Sequence, residues 1–322
     1  MSTWLLTGGA GYIGAHVLRS LQASGRDVVV LDDLSTGVAA KVPADVPLIE
    51  ANVADRAAVT AALRDFGVTG VVHLAAKKAV GESVERPEYY YRENVDGMLS
   101  LLEAMEDVGT QALVYSSSAA VYGTPDEEFV AEDAPLVPES PYGQTKVIGE
   151  WITANAAVNR ELSWVSLRYF NVAGAGSPEL GDTSVNNLVP MVLRALSNGQ
   201  RPQVFGDDYP TPDGSCIRDY IHVADLAEAH VAAAAACEAS TVGTVYNVGR
   251  GQGISVFEVM DMVSDVVGHD VNAEVGPRRA GDPAQLVALA DRITEELGWR
   301  ATRDLREIVT SAYQAWGVTP GG

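Results

Sequence analysis

Short apolar runs alternate with longer amphipathic stretches through the first half of the chain. Residues 4–7, 28–31 and 71–74 are continuous apolar runs, which is typical of strands that are buried on both faces. Between them, residues 12–24 and 54–66 repeat their apolar positions at helical spacing. Regular alternation of strand and helix predicts an α/β fold, with a doubly wound parallel sheet of the Rossmann type covered by helices on both faces.

The same alternation continues further along the chain and then stops. We expect long helices at 87–108 and 142–159, each followed by a strand. Beyond residue 171, Gly and Pro become frequent and the elements shorten. We therefore predict a Rossmann-type domain over 1–175 and a smaller, mixed α/β domain over 176–322. A segment near 216–240 is expected to return to the first domain.

The charge balance narrows the choice of partners. Acidic residues outnumber basic ones 43 to 22, for a net charge of −21, and no basic face is available for nucleic acid. The two cysteines, Cys216 and Cys237, imply no disulfide framework, and no metal-like cluster of side chains is evident. The longest apolar stretch, 231–237, is too short to span a bilayer, and no leader precedes the first strand. These features predict a cytoplasmic protein that binds neither nucleic acid nor membrane.

Three glycines lie where the first strand turns into the first helix. Gly8, Gly11 and Gly14 allow a tight turn and bring backbone N–H groups against an anion at the positive end of the helix. The spacing, Gly-x-x-Gly-x-x-Gly, is a variant of the dinucleotide-binding pattern. The turn therefore predicts a pyrophosphate site, although a tight turn without a ligand would use the same residues.

Asp32 ends the second strand, ~20 residues beyond the glycines, where a carboxylate accepts hydrogen bonds from the adenosine ribose. The same charge would repel a 2′-phosphate. No basic residue follows Asp32 before Lys41. The sequence therefore favours NAD over NADP.

Tyr142 and Lys146 lie one helical turn apart on a predicted helix and project from one face. A free phenol has a pKa near ~10, and a nearby ammonium and a positively charged nicotinamide ring are together expected to lower that pKa towards the working range. Ser118 follows the strand at 112–116, at the strand end where open α/β sheets bind ligands. These three residues predict proton transfer to or from an alcohol.

Taken in order, these motifs resemble the extended short-chain dehydrogenase/reductase family and, within it, the UDP-glucose 4-epimerases. The resemblance covers nearly the whole chain. It is carried further by the runs KAVGES (78–83), SSSAAVYG (116–123), LRYFN (167–171), NNL (186–188), RDYIHV (218–223), RRAGD (278–282) and LGW (297–299).

The resemblance implies a tightly held NAD and a UDP-sugar substrate, with 1–175 binding NAD and 176–322 binding the UDP-sugar. The implied cofactor contacts are Gly8, Gly11, Tyr12, Ile13, Gly14, Asp32, Asn52, Val53, Lys78, Asn94, Tyr142 and Lys146. The implied substrate contacts are Ser118, Tyr142, Asn171, Asn187, Leu188, Phe205, Arg218, Arg279 and Asp282. A homodimer formed through the helices at 87–108 and 142–159 is also implied.

The implied reaction interconverts UDP-galactose and UDP-glucose through a transient 4-keto sugar. Phenolate Tyr142, assisted by Ser118, removes the proton of the sugar 4-hydroxyl while hydride leaves C4. The keto sugar then turns about its diphosphate link, and hydride returns to its other face. Both arginines suit a diphosphate on an otherwise acidic protein.

Three alternatives stay open to different degrees. A nucleotide-sugar dehydratase would need an acidic pair after the serine, where this chain has Ala119 and Ala120. An epimerase or decarboxylase of another UDP-sugar, such as a uronic acid, a pentose or an N-acetylhexosamine, would use similar residues. A non-catalytic nucleotide-binding module would be expected to have lost the Tyr142, Lys146 and Ser118 set.

Three positions depart from the family pattern. Asn52 stands where an acidic residue is usual, and its amide oxygen is expected to accept from the adenine amino group. Lys77 stands where an apolar residue is usual, and the sequence offers no explanation for it. The position that gates sugar size aligns with Leu286, whose apolar side chain suggests that N-acetylated sugars are admitted.

Overall fold

A computed structural model gives the structure of residues 2–184, 186–279 and 281–317. Its strands are β1 (Thr3–Thr7), β2 (Asp27–Asp32), β3 (Leu48–Glu50), β4 (Gly70–His73), β5 (Ala112–Ser116), β6 (Phe129–Val130), β7 (Ser163–Tyr169), β8 (Asn171–Ala173), β9 (Gln203–Phe205), β10 (Ile217–His222), β11 (Gly243–Val248), β12 (Gly253–Ser255), β13 (Glu274–Gly276) and β14 (Gln285–Ala288).

The α-helices are α1 (Tyr12–Ala23), α2 (Arg56–Asp65), α3 (Val80–Glu85), α4 (Pro87–Tyr91), α5 (Gly97–Val108), α6 (Pro141–Val158), α7 (Leu188–Ser197), α8 (Val223–Ala239), α9 (Val256–Val267), α10 (Asp291–Leu297) and α11 (Leu305–Ala315). Short 3₁₀ turns occur at Ala39–Lys41, Ala119–Val121 and Pro178–Leu180. Among these described residues, none of the helices has both the length and the apolar character needed to cross a bilayer.

The described chain divides into two compact units. The first comprises residues 1–123, 136–168 and 227–246, and the second comprises 124–135, 169–226 and 247–322. The sequence predicts a domain boundary near residue 175, whereas the chain enters the second unit after residue 168. The second unit also includes residues 124–135, which come from within the predicted first domain. Assignment of NAD to the first unit and of the UDP-sugar to the second stays a prediction.

A seven-stranded sheet forms the centre of the first unit, in the order β11-β7-β5-β4-β1-β2-β3. The pairings of β1 with β2 and β4, of β2 with β3, of β4 with β5 and of β5 with β7 are parallel. The apolar runs form strands because both of their faces are buried. Leu5, Val29, Val71 and Leu113 pack on one face with residues of α2 and α5, and Leu6, Val30 and Val72 are buried on the other face. The predicted doubly wound sheet is confirmed.

This strand order fixes the place of a ligand site. The chain winds one way from β1 to β3 and the other way from β4 onward, so the order reverses between β1 and β4. In open α/β sheets the loops that leave the carboxyl ends of such strands diverge and form a crevice. The glycine turn follows β1, and residues 74–79 follow β4, so both belong to this crevice.

The predicted helix over 87–108 differs from the structure in its middle. It begins as α4 and ends as α5, but the five residues Arg92–Asp96 between them form a π-helical turn. Such turns widen the helix by a residue and often occur at functional sites. Asn94, one of the predicted cofactor contacts, lies inside this turn.

The second unit has its own sheet and core. Strands β12, β10, β14 and β6 lie side by side in that order, and β8 pairs with β10. Pairing of β10 with β12 is antiparallel, whereas its pairings with β14 and β8 are parallel. A cluster that includes Val259, Val263, Ile308 and Val309, from α9 and α11, forms the core. The predicted smaller mixed α/β part is therefore present.

Candidate active site

The turn between β1 and α1 leaves no room for side chains. Gly8 has a φ of 73°, in the left-handed region, and a Cβ there would lie 2.8 Å from the backbone nitrogen of Ala75. A Cβ on Gly14 would lie 2.1 Å from the carbonyl oxygen of Gly8. Both positions therefore require glycine, because a side chain at either one would collide with backbone atoms.

The start of α1 suits an anion. Gly11 is the N-cap residue, and Tyr12, Ile13 and Gly14 form a first turn that carries no acidic side chain. The first N–H groups of a helix lack intrahelical acceptors, and the helix dipole adds positive charge there. A cradle of backbone donors that a Cβ would fill fits the pyrophosphate of NAD.

Asp32 is buried beside this turn. Its Oδ2 accepts a hydrogen bond from the backbone N–H of Ala10, and its Oδ1 accepts one from that of Leu34, both at 2.9 Å. Burial raises the pKa of Asp32, and these two N–H donors oppose the rise. Each carboxylate oxygen has a further lone pair for a ribose hydroxyl. Asp32 thus braces the glycine turn and fits the ribose.

Asn52 and Val53, both predicted to contact the cofactor, also serve the protein itself. The amide oxygen of Asn52 accepts from the N–H of Ala54 at 2.8 Å and keeps a second lone pair, so its contact with the adenine amino group stays a prediction. Its nitrogen donates to Asp33 and Glu93. Val53 packs in the hydrophobic core, which leaves only its backbone for a ligand contact.

Asn94 holds the loop that follows β4. The N–H of Lys77 donates to Asn94 Oδ1 at 2.8 Å, and Asn94 Nδ2 donates to the carbonyl oxygen of Lys77 and to Thr145 Oγ1, both at 3.0 Å. Both amide hydrogens of Asn94 are therefore engaged within the protein. Its position supports a role in placing Lys77 and Lys78, and Lys78 itself is exposed.

Tyr142 lies at the start of α6, where the sequence begins a helix in the usual way. Ser140 is the N-cap residue and accepts from the N–H of Gly143, and Pro141 occupies the first helical position. Ser118 lies just beyond β5 and hydrogen-bonds to the buried phenol of Tyr142. The structure thus brings together two of the residues that were predicted to transfer a proton.

Lys146 lies one turn further along α6 and is also buried. Its Nζ donates to the carbonyl oxygen of Ser116 at 2.7 Å and lies 5.9 Å from the centre of the Tyr142 ring. Burial lowers the pKa of Lys146 to about 7, against the opposing charge of Glu150. Lys146 therefore changes protonation state near neutral pH.

The protein's own groups do not lower the pKa of Tyr142. Burial raises that pKa, and the Ser118 hydrogen bond opposes the rise. Loss of water around the phenol disfavours its ionised form, an effect that the spacing of Tyr142 and Lys146 does not reveal. Ser118 is thus the protein group that favours the phenolate.

A buried ion pair, which sequence patterns did not reveal, supports the serine turn. Glu150 and Arg168 form a salt bridge at 2.6 Å with each side chain only 5% exposed. Ser117 donates to Glu150 at 2.5 Å, and Arg168 donates to the hydroxyl of Tyr122 at 2.9 Å. The pair fixes both ends of the turn that carries Ser118.

Four of the predicted substrate residues form two pairs in the second unit. Arg218 donates to Asp282 at 3.2 Å, and the guanidinium carbon of Arg279 lies 3.8 Å from the centre of the Phe205 ring. Both arginines act to lower the pKa of the buried thiol of Cys216, which burial raises. We refer to these four side chains as the predicted UDP-sugar cluster.

The remaining substrate residues lie on three elements of that unit. Asn187 is the N-cap residue of α7 and donates to Asp182 at 2.8 Å, and Leu188 begins the helix. Asn171 is exposed at the start of β8. Leu286 is buried on β14 directly beside Arg218 of β10.

Tyr209 is a candidate that the sequence did not reveal. Its ring is 6% exposed, and its hydroxyl has no hydrogen-bond partner among the described residues. Arg218 and Asp282 both influence its pKa, which burial raises. A buried hydroxyl without a partner next to an arginine is available to a polar ligand.

Residues 4–249 match the sequence profile of the NAD dependent epimerase/dehydratase family. The chain belongs to this family. It is 46% identical to the UDP-glucose 4-epimerase of Corynebacterium glutamicum over 96% of this chain and 94% of that protein.

Two solved structures of the same family are similar over nearly their whole length. The UDP-glucose 4-epimerase of Brucella ovis in complex with NAD is 39% identical, with a TM-score of 0.95 over 98% of this chain and 99% of that one. The enzyme from Bifidobacterium longum in complex with NAD⁺ and UDP is 36% identical, with a TM-score of 0.92 over 100% of both chains. These values extend the family likeness through the second unit.

Proposed function

We propose that this family member is an NAD-dependent isomerase that interconverts UDP-galactose and UDP-glucose by inverting C4. The hydrogen bond between Ser118 and Tyr142, one helical turn from Lys146, is the observation that carries the proposal. The same unit holds a glycine turn and a buried Asp32 that fit NAD. Proteins named as UDP-glucose 4-epimerases, similar over nearly the full chain, support this reaction.

The cofactor supplies one part of the chemistry: NAD, when bound, accepts a hydride from C4 and gives it back. The protein supplies the proton transfer. The oxygen of Tyr142 takes the proton of the sugar 4-hydroxyl, and the hydroxyl of Ser118 donates to that oxygen, which favours its ionised form. The same proton returns to the sugar oxygen in the second half of the reaction, so the cycle consumes no acid or base.

Lys146 has two tasks in this proposal. Its bond to the Ser116 carbonyl fixes the ammonium beneath the strand end that carries Ser118. From there its remaining protons suit the hydroxyls of a nicotinamide ribose. A pKa of about 7 means that the charged form is present at and below neutral pH.

Binding of the UDP-sugar relies on the second unit. Arg218 and Arg279 supply donors for the diphosphate, and Phe205 offers a face for the uracil ring. Asn187, Asn171, Leu188 and Asp282 complete the set of contacts. Anchoring through the nucleotide leaves the sugar free to turn, which inversion requires.

Assembly and compartment follow the family expectation. We propose a homodimer in which α5 and α6 form the contact, because both helices carry exposed apolar side chains. Leu99 is 43% exposed, Trp151 is 58% exposed and Val158 is 75% exposed. Two free cysteines, both buried, suit the cytoplasm.

Leu286 favours a second candidate substrate. It is buried beside Arg218 and presents an apolar side chain with no capacity for hydrogen bonding to a sugar hydroxyl. An N-acetyl group tolerates such a neighbour better than a hydroxyl does. UDP-N-acetylgalactosamine is therefore the alternative, ahead of uronic acids, whose carboxylate calls for polar contacts.

Product chromatography tests the proposal. The purified protein is incubated with UDP-galactose, UDP-N-acetylgalactosamine or UDP-xylose without added nucleotide, and denatured protein is assayed for released NAD. We expect UDP-glucose from UDP-galactose and NAD in the released fraction. Failure to convert any of the three, even after NAD is added, would overturn the proposal.

A further inference from the structure

Lys77, which the sequence left unexplained, has a defined place beside Asp32. It follows β4, and its backbone is held on both sides by the buried amide of Asn94. Its Nζ donates to Ser35 Oγ at 2.6 Å and lies 3.6 Å from Asp33 Oδ2. Its side chain is 14% exposed. The ammonium thus joins the loop after β4 to the loop after β2.

The loop after β2 is shaped to receive this ammonium. Leu34 has a φ of 53°, which turns the chain sharply after Asp32 and Asp33. Asp33 Oδ1 accepts from both the N–H and the hydroxyl of Ser35. Burial works against ionisation of Asp33, but the Ser35 hydrogen bonds and the Lys77 charge outweigh it and lower its pKa. Asp33 is therefore ionised opposite Lys77.

Lys77 is outnumbered by carboxylates. The positive charge of Lys77 acts to lower the pKa of Asp32. The amide nitrogen of Asn52 donates hydrogen bonds to both Asp33 and Glu93. In Rossmann-type sites, the acidic residue at the end of β2 binds the adenosine ribose, whereas a nearby basic residue accommodates a 2′-phosphate. This site contains a basic residue of that kind, but it is neutralised by Asp33.

We propose that Lys77 and Asp33 together determine whether the site binds NAD or NADP and how slowly the bound dinucleotide is released. This inference rests on the proposed use of NAD. Paired with Asp33 and Ser35, Lys77 closes the two loops over the adenosine ribose and slows release of NAD. Because Asp33 cancels its charge, the site rejects the dianionic 2′-phosphate of NADP. Removal of that carboxylate alone frees the ammonium to bind the phosphate.

The test compares four holoprotein variants with the parent. Asp33→Asn, Lys77→Leu, Lys77→Arg and the double variant Asp33→Asn/Lys77→Leu are incubated with equal excesses of NAD and NADP and then gel-filtered. Bound nucleotide is released by denaturation and identified by chromatography. Asp27→Asn is the matched control, since it makes the same charge change at the other end of β2.

We expect the variants to differ in the amounts of NAD and NADP that they retain. Asp33→Asn raises the ratio of bound NADP to NAD ~10-fold, the effect of one charge-assisted hydrogen bond. The double variant loses this gain. Lys77→Leu retains several-fold less NAD without gaining NADP, Lys77→Arg keeps NAD, and Asp27→Asn matches the parent.

Two results would overturn the inference. One is a double variant that takes up NADP as well as Asp33→Asn does, because another cation would then hold the phosphate. The other is a folded Lys77→Leu that keeps NAD as firmly as the parent. A parent protein that binds neither nucleotide would instead count against the proposed function.

Discussion

Ser118 hydrogen-bonds to the phenol of Tyr142, although one residue follows strand β5 and the other opens helix α6. The contact depends on where the turn after β5 and the helix α6 each begin. Ser118 caps the short turn after β5 by accepting from the N–H of Ala120, and Ser140 with Pro141 starts α6 one residue before Tyr142. A backbone N–H therefore holds the hydroxyl that favours the phenolate, and the start of α6 places the phenol.

Replacement of Tyr142 with Phe removes the group that is proposed to move the proton. We expect Tyr142→Phe to lower kcat by ~10²–10⁴-fold, the usual contribution of a positioned acid–base group. NAD content should change little, because the ring still fills its buried position. Turnover of UDP-galactose and released NAD are measured together, with the exposed Tyr313→Phe as control. Near-parental turnover in Tyr142→Phe would remove this residue from its role.

The buried Lys146 predicts a pH dependence of stability. Its pKa is about 7 in the folded protein, against an ordinary value of 10.5, so the unfolded chain binds more protons between these values. The free energy of unfolding should therefore rise with pH from about 7 to about 10, by up to ~1.4 kcal/mol per pH unit. Urea unfolding at several pH values measures the slope.

The variant Lys146→Met should lose this rise, whereas Lys78→Met, which removes an exposed lysine next to the same crevice, should keep it. Equal slopes in the parent and in Lys146→Met would show that another group controls the titration.

The glycine turn gives a prediction for Gly14→Ala. A Cβ there would lie 2.1 Å from a backbone oxygen, so the turn must open, at a cost of ~1–3 kcal/mol in the free energy of unfolding. We also expect the purified Gly14→Ala variant to contain no bound NAD. Gly81→Ala is the matched control, because a Cβ on Gly81 meets no atom within 4 Å. Normal NAD content in Gly14→Ala would contradict a pyrophosphate site at this turn.

Two adjacent arginines allow a paired test of substrate binding. Arg279 lies over Phe205 in the predicted UDP-sugar cluster, whereas Arg278 forms a salt bridge with Asp208 at 2.6 Å. We expect Arg279→Met to raise KM for UDP-galactose ~10-fold, because a charge-assisted hydrogen bond to the diphosphate is lost. Arg278→Met should change KM less than twofold. Similar KM values for both variants would argue against diphosphate binding by Arg279.

Features that depend on neighbouring residues were predictable from the sequence. The glycine turn, the serine turn after β5 and the Tyr142–Lys146 spacing each lie within one strand–turn or one helical turn, so their pattern identifies them. The parallel sheet followed from continuous apolar runs, which only doubly covered strands tolerate.

Features that depend on packing between residues distant in the sequence were not predictable from the sequence. Lys77 meets Asp33 only because β1 lies between β2 and β4, which aligns the loops that follow those strands. No basic residue lies between Asp32 and Lys41 in the sequence, and the contribution of a lysine from another loop is not visible there. The raised pKa of Tyr142 likewise follows from its burial, which spacing along the helix does not reveal.

A measurement of the fate of the hydrogen at C4 of the sugar tests the central claim most directly. UDP-galactose labelled with deuterium at C4 is incubated with the purified protein in ordinary water, and the UDP-glucose formed is analysed by mass spectrometry and NMR. Removal and return of that hydrogen within one closed site, with Tyr142 handling only the hydroxyl proton, predicts that deuterium stays at C4 of the product. Replacement of the label by solvent hydrogen would contradict the account.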